Sequence, residues 1–182
     1  MSEKGNALIN ACDLMGIKPV LTALSYPPQQ VQSKNLAYAN LLSVDYCGSV
    51  SELSAITQYI NFETRLCGFQ CQMARVLLGI AMAEMMHLQK LGELILLLGG
   101  KLDYSARMQN GKQKQWSPEY LFLPDNAAQM LQACIASEQE AIKQYRMHWK
   151  MIGDANVRAV IARIIQDEEY HILTLNDLLA AV

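Results

Sequence analysis

The stretch SELSAITQY (residues 51–59) recurs later in the chain as SEQEAIKQY (residues 137–145), with six of the nine positions identical. Each copy has a glutamate at its second position and is followed downstream by a Glu-x-x-His pair. These pairs contain two of the three histidines in the chain. The residues that make up the two similar halves are Glu52, Glu84, His87, Glu138, Glu168 and His171.

Composition favours packed helices in a single domain. The chain has 182 residues, of which 52% are hydrophobic and only 7% are aromatic. A chain of this length can bury a sizeable core, and its apolar residues are those that favour helices over strands. The net charge of -2 gives no basic surface for nucleic acid or for an anionic membrane. We therefore expect neither as a partner.

The most apolar stretch, residues 77–98, includes Glu84, His87, Lys90 and Glu93. A lipid-facing span rarely carries four such groups, so the stretch predicts a buried helix and no membrane insertion. The five cysteines are an odd number without the spacing of a disulfide framework or a common zinc motif. They suggest reduced, buried thiols in a cytoplasmic protein.

Glycine and proline positions divide the chain into helices. We expect an N-terminal helical extension over residues 1–33 and an all-α four-helix bundle over residues 34–182. The predicted bundle helices span about residues 34–66, with a local irregularity at Gly48, and about residues 69–98, 125–152 and 155–180. Residues 101–124 have little periodicity and form a long crossover between the second and third helices. Such a connection can run the length of the bundle and is typical of ferritin-like folds.

The turn positions place the ligand candidates at one height. Two antiparallel helices present side chains at the same level when their turn lies midway between those side chains. The midpoint between the two glutamates of the first half is residue 68, and that of the second half is residue 153. Both are glycines, Gly68 and Gly153. The six candidates should therefore meet in the middle of the bundle.

Four carboxylates and two imidazoles at one level suit a site for two metal ions. A glutamate and a histidine three residues apart project from the same helix face. Four carboxylates balance the charge of two divalent ions, which offsets the free-energy cost of burying these carboxylates. Oxygen and imidazole ligands without thiolate suit iron or manganese. We expect bridging by Glu84 and Glu168, with Glu52 and His87, and Glu138 and His171, as terminal ligands.

Three further residues are candidates for support of these ligands. Tyr59 and Tyr145 follow the repeat glutamates by seven residues, so their hydroxyls can reach ligand carboxylates. Asp167 could orient the ring of His87, whereas Ala83 stands at the equivalent position in the first half. Seven further glutamate, histidine and methionine residues are not expected to bind metal. We expect Glu93, Glu140 and Glu169 at solvated positions, His148 at the surface, and Met82, Met85 and Met86 in the core.

A single Glu-x-x-His pair would be weak support, because both residues are common on charged helix surfaces. The alternative of two ordinary charged faces accounts poorly for the repeat and for both midpoint glycines. Over residues 34–181 the motifs Glu84-Met85-Met86-His87 and Glu168-Glu169-Tyr170-His171, with Glu52 and Glu138, resemble the ferritin-like di-metal carboxylate superfamily, which includes bacterioferritin, rubrerythrin and manganese catalase. The resemblance implies two iron or two manganese ions that react with O2 or hydrogen peroxide.

The sequence departs from these families at several points, which narrows the choice among the subfamilies and their assemblies. Rubrerythrins carry an additional glutamate where Ala141 stands, and they commonly carry paired C-x-x-C motifs that this sequence lacks. The chain extends only eleven residues beyond His171, where ferritins have a fifth helix, so we do not expect a ferritin-type cage. Bundles often pair along an apolar face, so we expect a homodimer. In bacterioferritin a methionine at the position of Met85 can bind haem, but core packing explains Met85 without haem.

Three functional hypotheses follow. The first is an oxidoreductase of ferroxidase or peroxidase type, in which two metal ions deliver electrons from an unknown donor to O2 or peroxide; manganese in place of iron favours peroxide disproportionation. The second is an iron-binding protein that loads and releases metal without turnover. The third is a bundle that has lost its function, which the complete ligand set disfavours.

Overall fold

The computed structural model describes residues 12–108 and 110–182. In this part of the chain there are five α-helices and one small antiparallel sheet. The helices are α1 (Leu36–Cys47), α2 (Glu52–Leu66), α3 (Cys71–Leu97), α4 (Ala127–Met151) and α5 (Ala155–Ala180). The strands are β1 (Ser105–Arg107) and β2 (Gln113–Gln115), with Ser105 opposite Gln115.

Two helical hairpins form the bundle. Helices α2 and α3 are joined by a turn that contains Gly68, and α4 and α5 are joined by a turn that contains Gly153. The connection between α3 and α4 carries the small sheet and a 3-10 turn at Pro118–Tyr120. The predicted all-α bundle with one long crossover and with turns at both midpoint glycines is therefore confirmed.

The first bundle helix is divided, where the sequence predicts only a local irregularity. Helix α1 ends before Gly48, whose amide bonds to Val44 O at 2.8 Å. A Cβ on Gly48 would lie 2.6 Å from that same oxygen, so the bend requires glycine. Ser51 then begins α2, because its side chain accepts a hydrogen bond from the amide of Ser54. Glu52 is consequently the first residue of a new helix.

The predicted N-terminal helical extension is not formed over the described residues 12–33, and residues 1–11 lie outside the described residues. Pro19, Pro27 and Pro28 lack an amide hydrogen and restrict the residues before them, which favours extended backbone. Residues 17–26, named here the covering segment, lie against α3 and α5. They have a direct role at the site described below.

The hydrophobic core consists of two clusters on either side of the bundle centre. One cluster packs α1 against the last turns of α3 and the first half of α5, around Leu91 and Ile161. The other packs α2 against the first half of α3 and the end of α5, around Ile80 and Leu175. The Glu-x-x-His pairs of α3 and α5 lie between these clusters, so apolar layers close the polar centre from both ends.

Two expectations about sulfur-containing residues are wrong. Cys12 and Cys71 form a disulfide with Cα atoms 5.2 Å apart, whereas Cys47, Cys67 and Cys134 are free. The pairing joins residues 59 positions apart, which no local spacing indicates. Met85 is 45% exposed and not in the core, because its position on α3 faces away from the bundle centre. Met82 and Met86 are partly buried.

No helix among the described residues combines the length and the apolar character needed to cross a membrane. Helix α3 is the longest of them, and it carries the buried Glu84 and His87 at its centre.

Candidate metal centre

All six candidate side chains converge in the bundle centre and are almost completely buried. Helix α2 supplies one glutamate from its first turn, and α4 supplies one from its middle. Helices α3 and α5 each supply a glutamate and a histidine one turn apart. By element the residues are Glu52 (α2), Glu84 and His87 (α3), Glu138 (α4), and Glu168 and His171 (α5).

These side chains form two overlapping groups of four. In each group one ligand atom from every residue lies within 4.8 Å of the others. Each group has one histidine, one glutamate of its own and two glutamates that belong to both groups. The groups are Glu52, Glu84, His87 and Glu168, and Glu84, Glu138, Glu168 and His171. This is the arrangement expected for two neighbouring ions that share two carboxylates.

The inner nitrogen of His87 faces more acceptors than it can satisfy. Its Nδ1 lies 2.9 Å from Glu84 Oε2, 3.3 Å from Glu168 Oε1 and 3.6 Å from Glu52 Oε2. One ring nitrogen carries at most one hydrogen, so it cannot pair with three carboxylates. A cation between these atoms would satisfy all of them.

His171 repeats this geometry in the other group. Its Nδ1 lies 3.0 Å from Glu168 Oε2, 3.1 Å from Glu84 Oε1 and 3.8 Å from Glu138 Oε1. Glu84 Oε1 is buried and makes no hydrogen bond, because His171 Nδ1 is not aligned with it. An orphaned buried carboxylate oxygen is costly unless an ion binds it. The residues present therefore fit two hard or borderline divalent ions.

Protonation shows how the metal-free centre balances its charge. Burial, together with the charges of Glu84 and Glu168, raises the pKa of Glu52 well above its usual value. Burial and the same two neighbours raise the pKa of Glu138. Glu84 behaves oppositely, since its two histidine neighbours outweigh burial and hold its pKa well below the usual range. Without metal, the terminal carboxylates thus retain their protons to higher pH than ordinary glutamates do.

Without metal, both imidazoles also keep their second proton to higher pH than an ordinary histidine does. Burial alone would lower the pKa of His87, but the charges of Glu168 and Glu84 raise it well above its usual value. The pKa of His171 is raised in the same way, against burial, chiefly by Glu84. Metal binding would displace these protons, because a ligating nitrogen must be deprotonated.

Two buried tyrosines cross between the halves of the site. The hydroxyl of Tyr59 on α2 donates to Glu138 on α4, and the hydroxyl of Tyr145 on α4 donates to Glu52 on α2. Burial and the glutamate charges raise the pKa of both phenols, so they remain donors. The expected contacts with ligand carboxylates are present, and each tyrosine reaches the glutamate of the opposite repeat.

The outer nitrogens of the imidazoles have different partners. His87 Nε2 lies 3.2 Å from Asp167 Oδ2, which is the contact expected from the sequence. His171 Nε2 donates to the backbone carbonyl of Val20 at 2.8 Å. The sequence did not indicate this second contact, because a backbone carbonyl leaves no residue signature. Both acceptors can only accept, so each Nε2 carries its hydrogen and each Nδ1 is directed to the centre.

A cavity of about 360 Å³ leads from the surface between α2 and α4 to the centre. All four candidate glutamates line it, whereas neither imidazole does. Tyr120 and Phe122 of the crossover lie along it, and Ala141 forms part of its wall. The position where rubrerythrins carry an additional glutamate thus holds a methyl group beside the cavity. A small molecule can reach the carboxylate side of the site.

The glutamates set aside from the sequence lie at partly or fully solvated positions. Glu140 and Glu169 are exposed and paired with Lys143 and Arg146, respectively. Glu93 is partly exposed and accepts a hydrogen bond from Gln89. These three residues lie outside both groups of candidate ligands.

The surface position expected for His148 is wrong. His148 is buried, and its Nδ1 lies 2.7 Å from Asp45 Oδ2. Asp45 also accepts from Gln144 Nε2 at 2.8 Å, and burial raises its pKa in spite of both contacts. Helix α1 lies against this part of α4 and carries Asp45, and this contact buries the histidine.

We expect His148→Phe to lower the free energy of unfolding by about 1–3 kcal/mol, because it removes a partner from a buried carboxyl group. Urea denaturation followed by circular dichroism measures this change. Met147→Ala is the control, since Met147 is the exposed neighbour. Equal stability of His148→Phe and the unmodified chain would show that Asp45 does not need this contact.

Comparison with known proteins shows which family and which fold the chain is similar to. The family model described as rubrerythrin matches residues 48–179. A protein described as a probable manganese catalase from Clostridium acetobutylicum is 26% identical over 159 residues, which cover 78% of this chain and 70% of that protein.

Two solved structures show the same fold. Wild-type KatB, a manganese catalase from Anabaena, superposes with a TM-score of 0.75 at 22% identity, over 85% of this chain and 76% of that chain. The bacterioferritin of Rhodobacter capsulatus, described with a metal-free dinuclear site and haem iron, superposes with a TM-score of 0.67 at 22% identity. This second match covers 82% of this chain and 88% of that chain.

Proposed function

Because this chain belongs to the rubrerythrin family, we propose that its six converging side chains bind two metal ions and that the loaded protein disproportionates hydrogen peroxide. The observation that carries the proposal is the overlap of the two ligand groups, which share two carboxylates. The proposed ligands are the bridging Glu84 and Glu168, and the terminal pairs Glu52 with His87 and Glu138 with His171.

The proposed reaction converts two molecules of hydrogen peroxide into two of water and one of O2, so it requires no external electron donor. Two manganese ions, when bound, would supply the two-electron change that passes between successive peroxide molecules. The chain contributes the ligands, the phenol hydrogen bonds that hold both terminal glutamates, and the apolar layers that close the centre at both ends. The cavity between α2 and α4 admits the peroxide on the carboxylate side.

The chemistry of the donors is compatible with manganese, and similarity favours manganese and peroxide over iron and O2. Carboxylate oxygens and imidazole nitrogens without thiolate suit manganese. The relative from Clostridium acetobutylicum is described as a probable manganese catalase. These two observations support the finer part of the proposal.

A second candidate is oxidation of Fe(II) by O2, in which two bound Fe(II) ions would give up two electrons that, with two protons, convert O2 to hydrogen peroxide. The same donors suit iron, and four buried carboxylates would stabilise the ferric charge that develops. In this case O2 is consumed, whereas peroxide disproportionation releases it. The direction of the O2 change therefore separates the two candidates.

The test loads metal-free protein with Mn(II) or with Fe(II) and follows dissolved O2 with an electrode. We expect O2 release when peroxide is added to the Mn(II)-loaded protein. Glu168→Gln should reduce this release at least about 100-fold, because loss of an outer partner of a ligand alone costs 10–100-fold. Glu169→Gln is the matched control, since Glu169 is the exposed neighbour paired with Arg146.

Three results would contradict the proposal in different ways. Absence of O2 release and of peroxide loss from the Mn(II)-loaded protein would exclude peroxide disproportionation. O2 uptake confined to the Fe(II)-loaded protein would favour the second candidate. Binding of two ions without either reaction would indicate an iron- or manganese-handling protein.

A further inference from the structure

The covering segment (residues 17–26) reaches both imidazoles from outside the site. Val20 O accepts from His171 Nε2 at 2.8 Å. The amide and the hydroxyl of Thr22 donate to Asp167 Oδ1 at 2.8 and 3.1 Å. Asp167 in turn accepts from His87 Nε2 through its other oxygen at 3.2 Å. One segment thus contacts one imidazole directly and the other through a single carboxylate.

We propose that the covering segment is a positioning element that holds both imidazoles with Nδ1 directed to the metal ions, and that it thereby sets how firmly the chain retains them. The inference rests on the proposed function. Partners that fix the outer nitrogen of a ligating histidine contribute about 10–100-fold to metal affinity. Here both partners depend on a segment outside the helices.

A glycine in the middle of α3 permits the segment to dock. The amide of Val20 donates to Gly79 O at 2.9 Å. A Cβ at residue 79 would lie 2.9 Å from Val20 Cγ2 and 3.0 Å from the backbone oxygen of Lys18. Glycine inside a helix costs about 0.5–1 kcal/mol relative to alanine, so this close approach gives the residue a structural reason.

A buried arginine fastens the segment to α5. Arg163 Nε donates to Leu24 O at 2.9 Å, and one of its terminal nitrogens donates to Thr22 O at 3.2 Å. Its other terminal nitrogen pairs with Asp167 Oδ1 at 2.6 Å. The Tyr26 hydroxyl donates to Asp167 Oδ2 at 2.6 Å. The aspartate that orients His87 is therefore itself held by the segment and its anchor.

The disulfide between Cys12 and Cys71 adds a covalent tether. Cys12 lies five residues before the segment, and Cys71 is the first residue of α3. The tether limits how far the segment can move away from α3. Reduction of the disulfide should weaken the docking of the covering segment on α3, while the candidate metal ligands stay the same.

The first test compares Gly79→Ala with Gly92→Ala, two changes on the same helix. A Cβ at residue 92 would meet its nearest atoms, in Tyr46 and Leu102, at 3.4 and 3.5 Å, which is close to ordinary contact. We expect Gly79→Ala to release Mn(II) to a chelator about 10–100-fold faster, and Gly92→Ala to match the unmodified chain.

A second readout reports the imidazole position itself. In the metal-free protein labelled with ¹⁵N, the Nε2 hydrogen of His171 should exchange slowly with water, because it is bonded to Val20 O. Gly79→Ala should make this exchange fast, whereas a general loss of stability would affect all protected amides together. The measurement needs no metal, so it remains informative even if the chain binds none.

The third test leaves the helix packing unchanged and so covers the case in which Gly79→Ala fails to fold. Cys12→Ser should also accelerate Mn(II) release, and Cys67→Ser, which removes a free cysteine, should not. Release rates and ring exchange in Cys12→Ser and Gly79→Ala that equal those of the controls would overturn the inference. Failure of the unmodified chain to bind two ions would instead overturn the proposed function.

Discussion

Glu84→Ala should abolish retention of both metal ions, whereas Glu52→Ala should leave one ion bound. Glu84 belongs to both ligand groups, and its Oε1 and Oε2 face the inner nitrogens of His171 and His87, respectively. Glu52 belongs to one group only. Loss of a shared ligand therefore weakens both ions, and loss of a terminal ligand weakens one. Affinity for the affected ions should fall at least about 100-fold.

Metal analysis by mass spectrometry after desalting measures these stoichiometries. Glu93→Ala is the control on the same helix, because Glu93 is partly exposed and lies outside both groups. Circular dichroism should show that all variants retain their helices. Equal metal loss in Glu84→Ala and Glu52→Ala would contradict the assignment of Glu84 as a bridge, and two ions in both variants would contradict the site as a whole.

Much of the fold could be predicted because the chain marks its helix ends. Gly68 and Gly153 lie in the turns between paired helices, and Ala155–Ala180 was predicted with both ends correct. The repeat then placed the candidate ligands at one level, since antiparallel helices of equal arm length align their centres. These inferences depend on local spacing, which a single sequence contains.

The repeat also shows where local spacing fails. Ser51 caps the start of α2, whereas Ser137 lies in the middle of α4 and accepts from Gln58. The same short motif therefore begins α2 and lies inside α4. The difference arises at Gly48, whose extended backbone ends α1.

Contacts between distant parts of the chain account for the remaining differences. His148 is buried by α1, which covers this part of α4. Its partner Asp45 lies on α1, 103 positions away in the sequence. Cys12 pairs with Cys71 across 59 positions of the sequence. Val20 acts through its backbone carbonyl, for which any residue would serve. None of these contacts has a spacing that a single sequence could reveal.

Removal of metal should change both the stability of the protein and the sign of its pH dependence. At a free ion concentration of 100 times Kd, each bound ion stabilises the folded state by about 2.7 kcal/mol, so two ions contribute about 5 kcal/mol. For a chain of this size 1 kcal/mol corresponds to about 2–4 °C. Chelation should therefore lower Tm by about 10–20 °C.

The pH dependence of the chelated protein follows from groups whose pKa is raised on folding. In the folded metal-free centre, protons are held to higher pH than usual by four side chains: Glu52, Glu138, His87 and His171. The unfolded chain releases protons from the glutamates above pH 4.5 and from the histidines above pH 6.5. Their stabilisation is complete below those values and is lost as the pH rises, by at most about 1.4 kcal/mol per group and pH unit.

The lowered pKa of Glu84 acts in the opposite direction, but in another pH range. It stabilises the folded state above pH 4.5, and this contribution is lost only as the pH falls below that value. Between pH 6 and pH 8 the groups with raised pKa therefore decide the slope, and Tm of the chelated protein should fall.

The metal-loaded protein should behave differently, because bound ions replace the protons of the centre and bind more tightly as competing protons become scarce. Its Tm should remain level or rise from pH 6 to pH 8, so the difference between the loaded and chelated proteins should grow with pH. Thermal melts at pH 6, 7 and 8, with Mn(II) or with chelator, measure both slopes. Parallel slopes would mean that the ions do not displace the protons of these four side chains, and would place metal binding elsewhere in the chain.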